Sequence, residues 1–167
     1  MFKEIDVRAL NENPVEMIDG RWLLLTAGDR NGYNMMTASW GMLGELWNKD
    51  VATVFVRPQR YTYTFMEAQP YFTVAVLPDS MKQAVHGICG SQSGRDIDKT
   101  AATGLTPVFD PHCVYFEQAE IVLVCRKLYA DDLRPEKFVD TAIIDQCYRG
   151  DFHRVYVGEI EKVLVKA

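Results

Sequence analysis

The sequence predicts a mainly β protein: an antiparallel sheet curled into a closed or partly closed barrel, with short helices at its ends. Three observations predict it. Six apolar, β-branched or aromatic stretches of strand length recur along the chain. A hairpin-type turn joins the first two. The helical patterns are too few to alternate with the strands, which disfavours a doubly wound parallel sheet.

Trp22–Ala27 and Tyr33–Trp40 read as two strands joined through Asn31-Gly32, residues that accept positive φ. Val51–Val56 is a β-branched strand closed by Pro58. Thr62–Gln69 reads as a short helix stopped by Pro70, and Tyr71–Leu77 as a strand between Pro70 and Pro78. Ser80 reads as an N-cap, with Met81, Ala84, Val85 and Ile88 forming an apolar stripe behind it. Gly87–Pro111 is turn-rich. Tyr115–Leu128 is a long β-rich stretch, Pro135–Cys147 a helix with Pro at its first position, and Phe152–Val165 the last strand. Gly158 within that strand marks a bulge or a close backbone approach.

The chain has 167 residues, 48% of them hydrophobic and 25% charged, so a single globular domain over residues 1–167 is expected rather than a disordered chain. No apolar stretch reaches the roughly 18 residues that span a membrane. The start, MFKEIDVRAL, lacks a leader-like apolar segment, so a cytoplasmic protein is expected. A net charge of −5 argues against nucleic-acid binding. Cys89, Cys113, Cys125 and Cys147 contain no C-x-x-C and are expected as reduced thiols. No P-loop, dinucleotide or nucleophile-elbow motif is present. The histidines, His86, His112 and His153, lack the spacing of a metal site, so no metal is expected.

Four polar segments stand out from the apolar framework. In Asn34–Gly41, Thr37 and Ser39 share one face of a strand. Arg57-Pro-Gln-Arg60-Tyr61-Thr62 places two arginines between a strand end and a helix start, a setting suited to phosphate. Cys89–Asp96, followed by Lys99, is a Gly/Ser-rich stretch with basic side chains. Asp151–Ile160 carries a histidine at the opening of the terminal strand. Taken singly, each also reads as an ordinary half-exposed strand, capped helix, surface loop or structural histidine.

In this order, N-x-M-T-A-S-W-G (Asn34–Gly41), R-P-x-R-Y-T (Arg57–Thr62), G-S-x-S-G-R-D (Gly90–Asp96) with Lys99, and H-x-x-Y-x-G-x-I (His153–Ile160) resemble the flavin reductase-like, flavoredoxin-containing family of FMN-binding split-barrel proteins. The resemblance runs from about Val15 to Val165. It implies an antiparallel Greek-key split barrel, a homodimer and non-covalently bound FMN. By position it implies Met36, Thr37, Ala38, Ser39 and Trp40 along the flavin ring and ribityl chain. Arg57, Arg60, Tyr61 and Thr62 fall near the phosphate, and Ser91, Ser93, Arg95 and Lys99 in a loop over the flavin. His153 falls at the ring or the nicotinamide pocket, as the one expected catalytic residue. The implied activity is electron transfer from NAD(P)H through the flavin to a free flavin or a redox protein partner. An FMN-binding electron carrier or sensor without nicotinamide activity is the alternative, and a barrel for a different ligand a third. The Met42–Asp50 segment departs from the family pattern and reads as a loop that shapes the substrate pocket.

Overall fold

The structure, a computed structural model, describes all 167 residues. Strands β1 (Phe2–Ile5), β2 (Leu23–Asp29), β3 (Gly32–Ala38), β4 (Gly41–Leu46) and β5 (Lys49–Val56) precede helix α1 (Tyr61–Ala68). Then follow β6 (Tyr71–Val76), α2 (Lys82–Ser91), α3 (Lys99–Thr103), β7 (Pro107–Phe109), β8 (Val114–Phe116), β9 (Ile121–Asp132), α4 (Ala142–Cys147) and β10 (Arg154–Lys166). No helix is long and apolar enough to cross a membrane.

The main sheet is antiparallel, in the order β3-β2-β6-β9-β10-β5-β4, with β1 also paired to β10. The 13-residue β10 is long enough to serve two strands on one edge. One of its edges pairs with β9 along its length, while the other is shared between β5, from Arg154 to Glu159, and β1, from Val163 to Lys166. The two ends of the sheet, β3 and β4, are consecutive in sequence and joined only by Ser39-Trp40, so the sheet must curl back on itself. Its enclosed face packs as a single cluster drawn from β2, β3, β5, β6, β9 and β10, including Leu25, Met36, Val54, Val74, Leu123 and Tyr156. The neighbouring residues Leu24, Met35, Ala75 and Val122 point the other way, into a second cluster with Val85 and Cys89 of α2 and Phe116 of β8. Burial on both faces is why these strands read as continuous apolar runs rather than alternating ones.

Several expected elements shift. The β2–β3 hairpin forms, but the pairing of Asp29 with Gly32 makes Arg30-Asn31 the turn. The positive φ falls at Gly28 (+125°), where any Cβ would meet the Gly32 carbonyl. Met42–Asp50 is not a loop: it folds into the β4–β5 hairpin, turning at Trp47-Asn48 with φ of 59° and 57°. The N-cap expected at Ser80 lies within a single 3-10 turn, Asp79–Met81, and α2 begins at Lys82 and runs through Gly87 and Gly90. Its buried face is Val85, His86 and Cys89, whereas Ala84 is exposed. Tyr115–Leu128 divides into β8 and β9, and Pro135–Cys147 into a 3-10 turn and α4. At Gly158 both expectations hold: the β9–β10 register shifts there, and a Cβ would lie 2.6 Å from Phe72 Cζ.

Candidate functional site

The site begins at the outer edge of β3, which has a strand partner on one side only. The Met35 carbonyl faces away from β2, accepting from Lys99 Nζ at 2.9 Å and from Asn34 Nδ2 at 3.3 Å. Antiparallel alternation then turns the peptide groups of Thr37 to the same free edge. Side chains alternate in the opposite sense: Met36 and Ala38 enter the enclosed core, and Thr37 and Ser39 do not. A cleft of about 270 Å³ opens along this edge, lined by Met36–Trp40, Phe55, Arg57, Arg60 and His153. Beside it an apolar trough of about 680 Å³ shares Ser39, Trp40 and Phe55 and continues over Ile18, Met42 and Leu43.

The structure thus gathers Met36, Thr37, Ala38, Ser39, Trp40, Arg57, Arg60 and His153 around one cleft. The other six expected residues sit behind or beside it. Thr62 is fully buried and accepts from Asn34 Nδ2 at 2.8 Å. Tyr61 lies under the Arg95 guanidinium, 4.6 Å from the ring centre. Ser91 ends α2 and donates to the Gly87 carbonyl, and Ser93 accepts from the Arg95 amide at 3.2 Å. Lys99 is only 5% exposed. Asp98 caps α3 through the Thr100 and Ala101 amides, and so starts the helix with Lys99 turned inward. There Lys99 Nζ bridges the Met35 and Cys89 carbonyls, tying α2 to β3.

The cations differ in their company. Arg57 uses every guanidinium nitrogen within the protein. Nη1 pairs with Asp151, Nη2 donates to the Cys147 carbonyl at 3.0 Å, and Nε donates to His153 Nε2 at 3.3 Å. Arg60 donates to the Gly90 and Cys89 carbonyls at 2.9 and 3.2 Å, at the C-terminal end of α2 where carbonyls lack helical partners. Neither Arg60, Lys99 nor Arg95 has a carboxylate in ion-pair range. Burial, with Arg57 nearby, lowers the Arg60 pKa, and burial likewise lowers that of Lys99. The β3 edge therefore carries positive charge that the protein leaves unneutralised.

His153 is 8% exposed, with both ring nitrogens engaged. Because Nε2 accepts from Arg57, Nδ1 carries the proton and donates to the Tyr148 hydroxyl at 3.0 Å. Burial and the adjacent Arg57 push its pKa down to about 4, so the ring is neutral at pH 7. Trp40 and Phe55 pack against it at 5.1 and 6.4 Å. Backbone amides and the Arg57 pairing hold the Asp151 carboxyl down at about 2.

Sequence reasoning did not single out Asn34, Phe55, His86, Tyr148 or Asp151 as site residues. For His86 a signal existed: a polar side chain between Val85 and Cys89 on the buried face of a helix. No cluster of three metal-ligating side chains is present. All four thiols are free.

The chain matches the family model described as flavin reductase like domain over residues 18–167. No curated protein matches it. Among solved structures, it is similar to an FMN-binding domain of a flavin reductases-like enzyme from Shewanella baltica (16% identity, TM-score 0.70, covering 99% of this chain and 77% of that one). It is similar to flavoredoxin from Methanosarcina acetivorans (19%, 0.67, 98% and 76%). It is also similar to the NADH:FAD oxidoreductase of Streptomyces globisporus (16%, 0.64, 87% and 74%). At these identities the structures establish the fold, an antiparallel sheet with short helices shared with flavin reductase-like proteins. The family match covers most of the chain, and with it the protein belongs to the flavin reductase-like domain family.

Proposed function

We propose that the protein binds FMN non-covalently in the Met36–Ser39 cleft. We propose further that it acts as a flavin reductase-type oxidoreductase, with NAD(P)H as electron donor and a free flavin or redox protein as acceptor. The observation that carries this reading is the open peptide edge at Thr37, beside cations without carboxylate partners. Such an edge matches a planar ring bearing carbonyl and imide groups, and the uncompensated charge of Arg60 and Lys99 suits a phosphorylated ligand. The donor set therefore fits the group.

Bound FMN supplies the two-electron chemistry, and the protein supplies position and field. The edge amides offer preorganised hydrogen bonds to developing negative charge on the ring. Arg60 holds the anionic tail. His153, neutral and anchored by Arg57 and Tyr148, orients what lies over the ring and donates no proton at pH 7. The apolar trough beyond Trp40 receives the nicotinamide or the second substrate and excludes water.

The cleft is smaller than the roughly 300–1,000 Å³ usual for ligand sites. Met42, Trp47 and Tyr129 are exposed close to β4, which has a free outer edge. Both features support a homodimer in which a second copy walls the site. The four free thiols support a reducing, cytoplasmic setting.

A second reading is an FMN-binding electron carrier without nicotinamide activity, favoured by the likeness to flavoredoxins. Under anoxia, the reductase bleaches its flavin band with NADH or NADPH. Bleaching by dithionite but by neither nucleotide selects the carrier. Failure to bind FMN in a titration removes both.

A further inference from the structure

A strand at the end of a sheet has no ladder on its outer side to hold it in shape. In β3, side chains take that task. Lys99 holds the edge at Met35, and two residues on His86 holds it at Thr37. His86 lies on α2, is 3% exposed and sits outside the cleft lining. Its Nδ1 is 2.8 Å from Thr37 Oγ1, and that hydroxyl also reaches the His86 carbonyl at 3.3 Å. A hydroxyl has one proton. Both contacts coexist when Nδ1–H donates to Oγ1 while Oγ1–H donates to the carbonyl. The Thr37 hydroxyl is therefore bound to α2, and what Thr37 offers the cleft is its backbone.

The imidazole is itself braced. Trp22 meets its ring edge-on at 5.8 Å and 88°, and Lys82 covers the indole at 4.5 Å while donating to the Gly20 carbonyl. Trp22 reaches that position with φ of +67°, a left-handed conformation that a bulky residue adopts only when its surroundings enforce it.

We infer that His86 is a positioning residue, a buried link that fixes the Thr37 backbone so that the free β3 edge stays set for its planar ligand. The inference rests on the FMN-cleft reading and deepens it.

The test measures FMN affinity by flavin fluorescence quenching in His86→Leu, His86→Asn, Thr37→Val and the Leu/Val double variant. Amide hydrogen exchange at Met36 and Ala38, whose amides face β2, is followed in the same proteins without FMN. Loss of one neutral hydrogen bond predicts Kd raised about 5–10-fold in His86→Leu. Asn keeps a donor at the δ position and stays near wild type. The double variant is no weaker than the worse single one. Exchange at Met36 and Ala38 quickens in His86→Leu. Wild-type affinity and wild-type exchange in His86→Leu overturn the inference, as does full additivity with Thr37→Val. If His86→Leu does not fold, Thr37→Val and His86→Asn decide: affinity unmoved in Thr37→Val overturns it. If the wild-type protein takes up no FMN, the functional reading falls, and amide exchange alone judges the role of His86.

Discussion

Arg60 and Arg57 are both arginines at the rim of one cleft, yet the structure gives them different work. Replacing Arg60 with Met removes donors to the Gly90 and Cys89 carbonyls. The Cys89 carbonyl keeps Lys99 at 3.3 Å, so the loss of stability stays near one ordinary hydrogen bond, about 1 kcal/mol. The loss in binding is larger. A hydrogen bond to a charged phosphate contributes about 1.5–3 kcal/mol, which is about 10–150-fold in Kd. Replacing Arg57 with Met reverses the balance. It leaves Asp151 without its cation and frees the Cys147–His153 segment, at about 1–3 kcal/mol and about 2–12 °C in Tm. FMN affinity changes within about threefold, because a guanidinium already committed to Asp151 contributes little further attraction. Flavin titration and thermal melting on the two variants check both halves. If Arg57→Met weakens FMN more than Arg60→Met does, the assignment of the phosphate to the unpaired cation is wrong.

Gly158→Ala places a Cβ 2.6 Å from Phe72 Cζ and 3.0 Å from Cys125 Cβ; overpacking of about 1–3 kcal/mol is expected, read as a lower urea midpoint at unchanged m-value. Gly94→Ala places a Cβ 2.0 Å from Asn34 Oδ1; displacing that amide breaks the buried Asn34–Thr62 bond, and a loss of about 1–3 kcal/mol is expected, again by urea titration. His86 and His153 are both held near 4, below the ordinary 6.5. The unfolded chain then binds more protons, so stability is full above about pH 6.5 and falls as pH drops towards 4, by up to about 1.4 kcal/mol per pH unit for each ring. Urea midpoints at pH 7, 5.5 and 4.5 that do not move would refute the neutral burial of both rings.

The legible elements are those with hard local punctuation. Pro58 and Pro70 bound α1 and β6, and Asn31-Gly32 marks the first hairpin to within one residue. The β4 strand was illegible because Gly41-Met-Leu-Gly-Glu-Leu carries two glycines and exposed apolar side chains, and its turn puts a tryptophan where the rules expect glycine or asparagine. The C-terminal half of α2 reads as a loop on propensity, since Gly87 and Gly90 both disfavour a helix. It is helical because Arg60, from the start of α1, and Lys99, from α3, satisfy its terminal carbonyls. Tertiary contacts override the local signal there.

The same logic divides the site. The β3 string and His153 are legible by type and position, but the role of an arginine depends on which carboxylate reaches it, and that is set by strand register. β5 and β10 pair so that Val56 faces Arg154. Arg57 follows Val56 immediately, while Asp151 and His153 precede Arg154 by three residues and one. The ladder therefore brings an acid and an imidazole 94 and 96 positions away onto the first arginine of R-P-x-R. Arg60 lies three residues further on, past the reach of that pairing and at the entry to α1, where the neighbouring groups are the carbonyls of a helix end. Carbonyls orient a guanidinium without neutralising it. Of two arginines that look equivalent in sequence, topology makes the first a clamp for the His153 segment and leaves the second without a carboxylate partner.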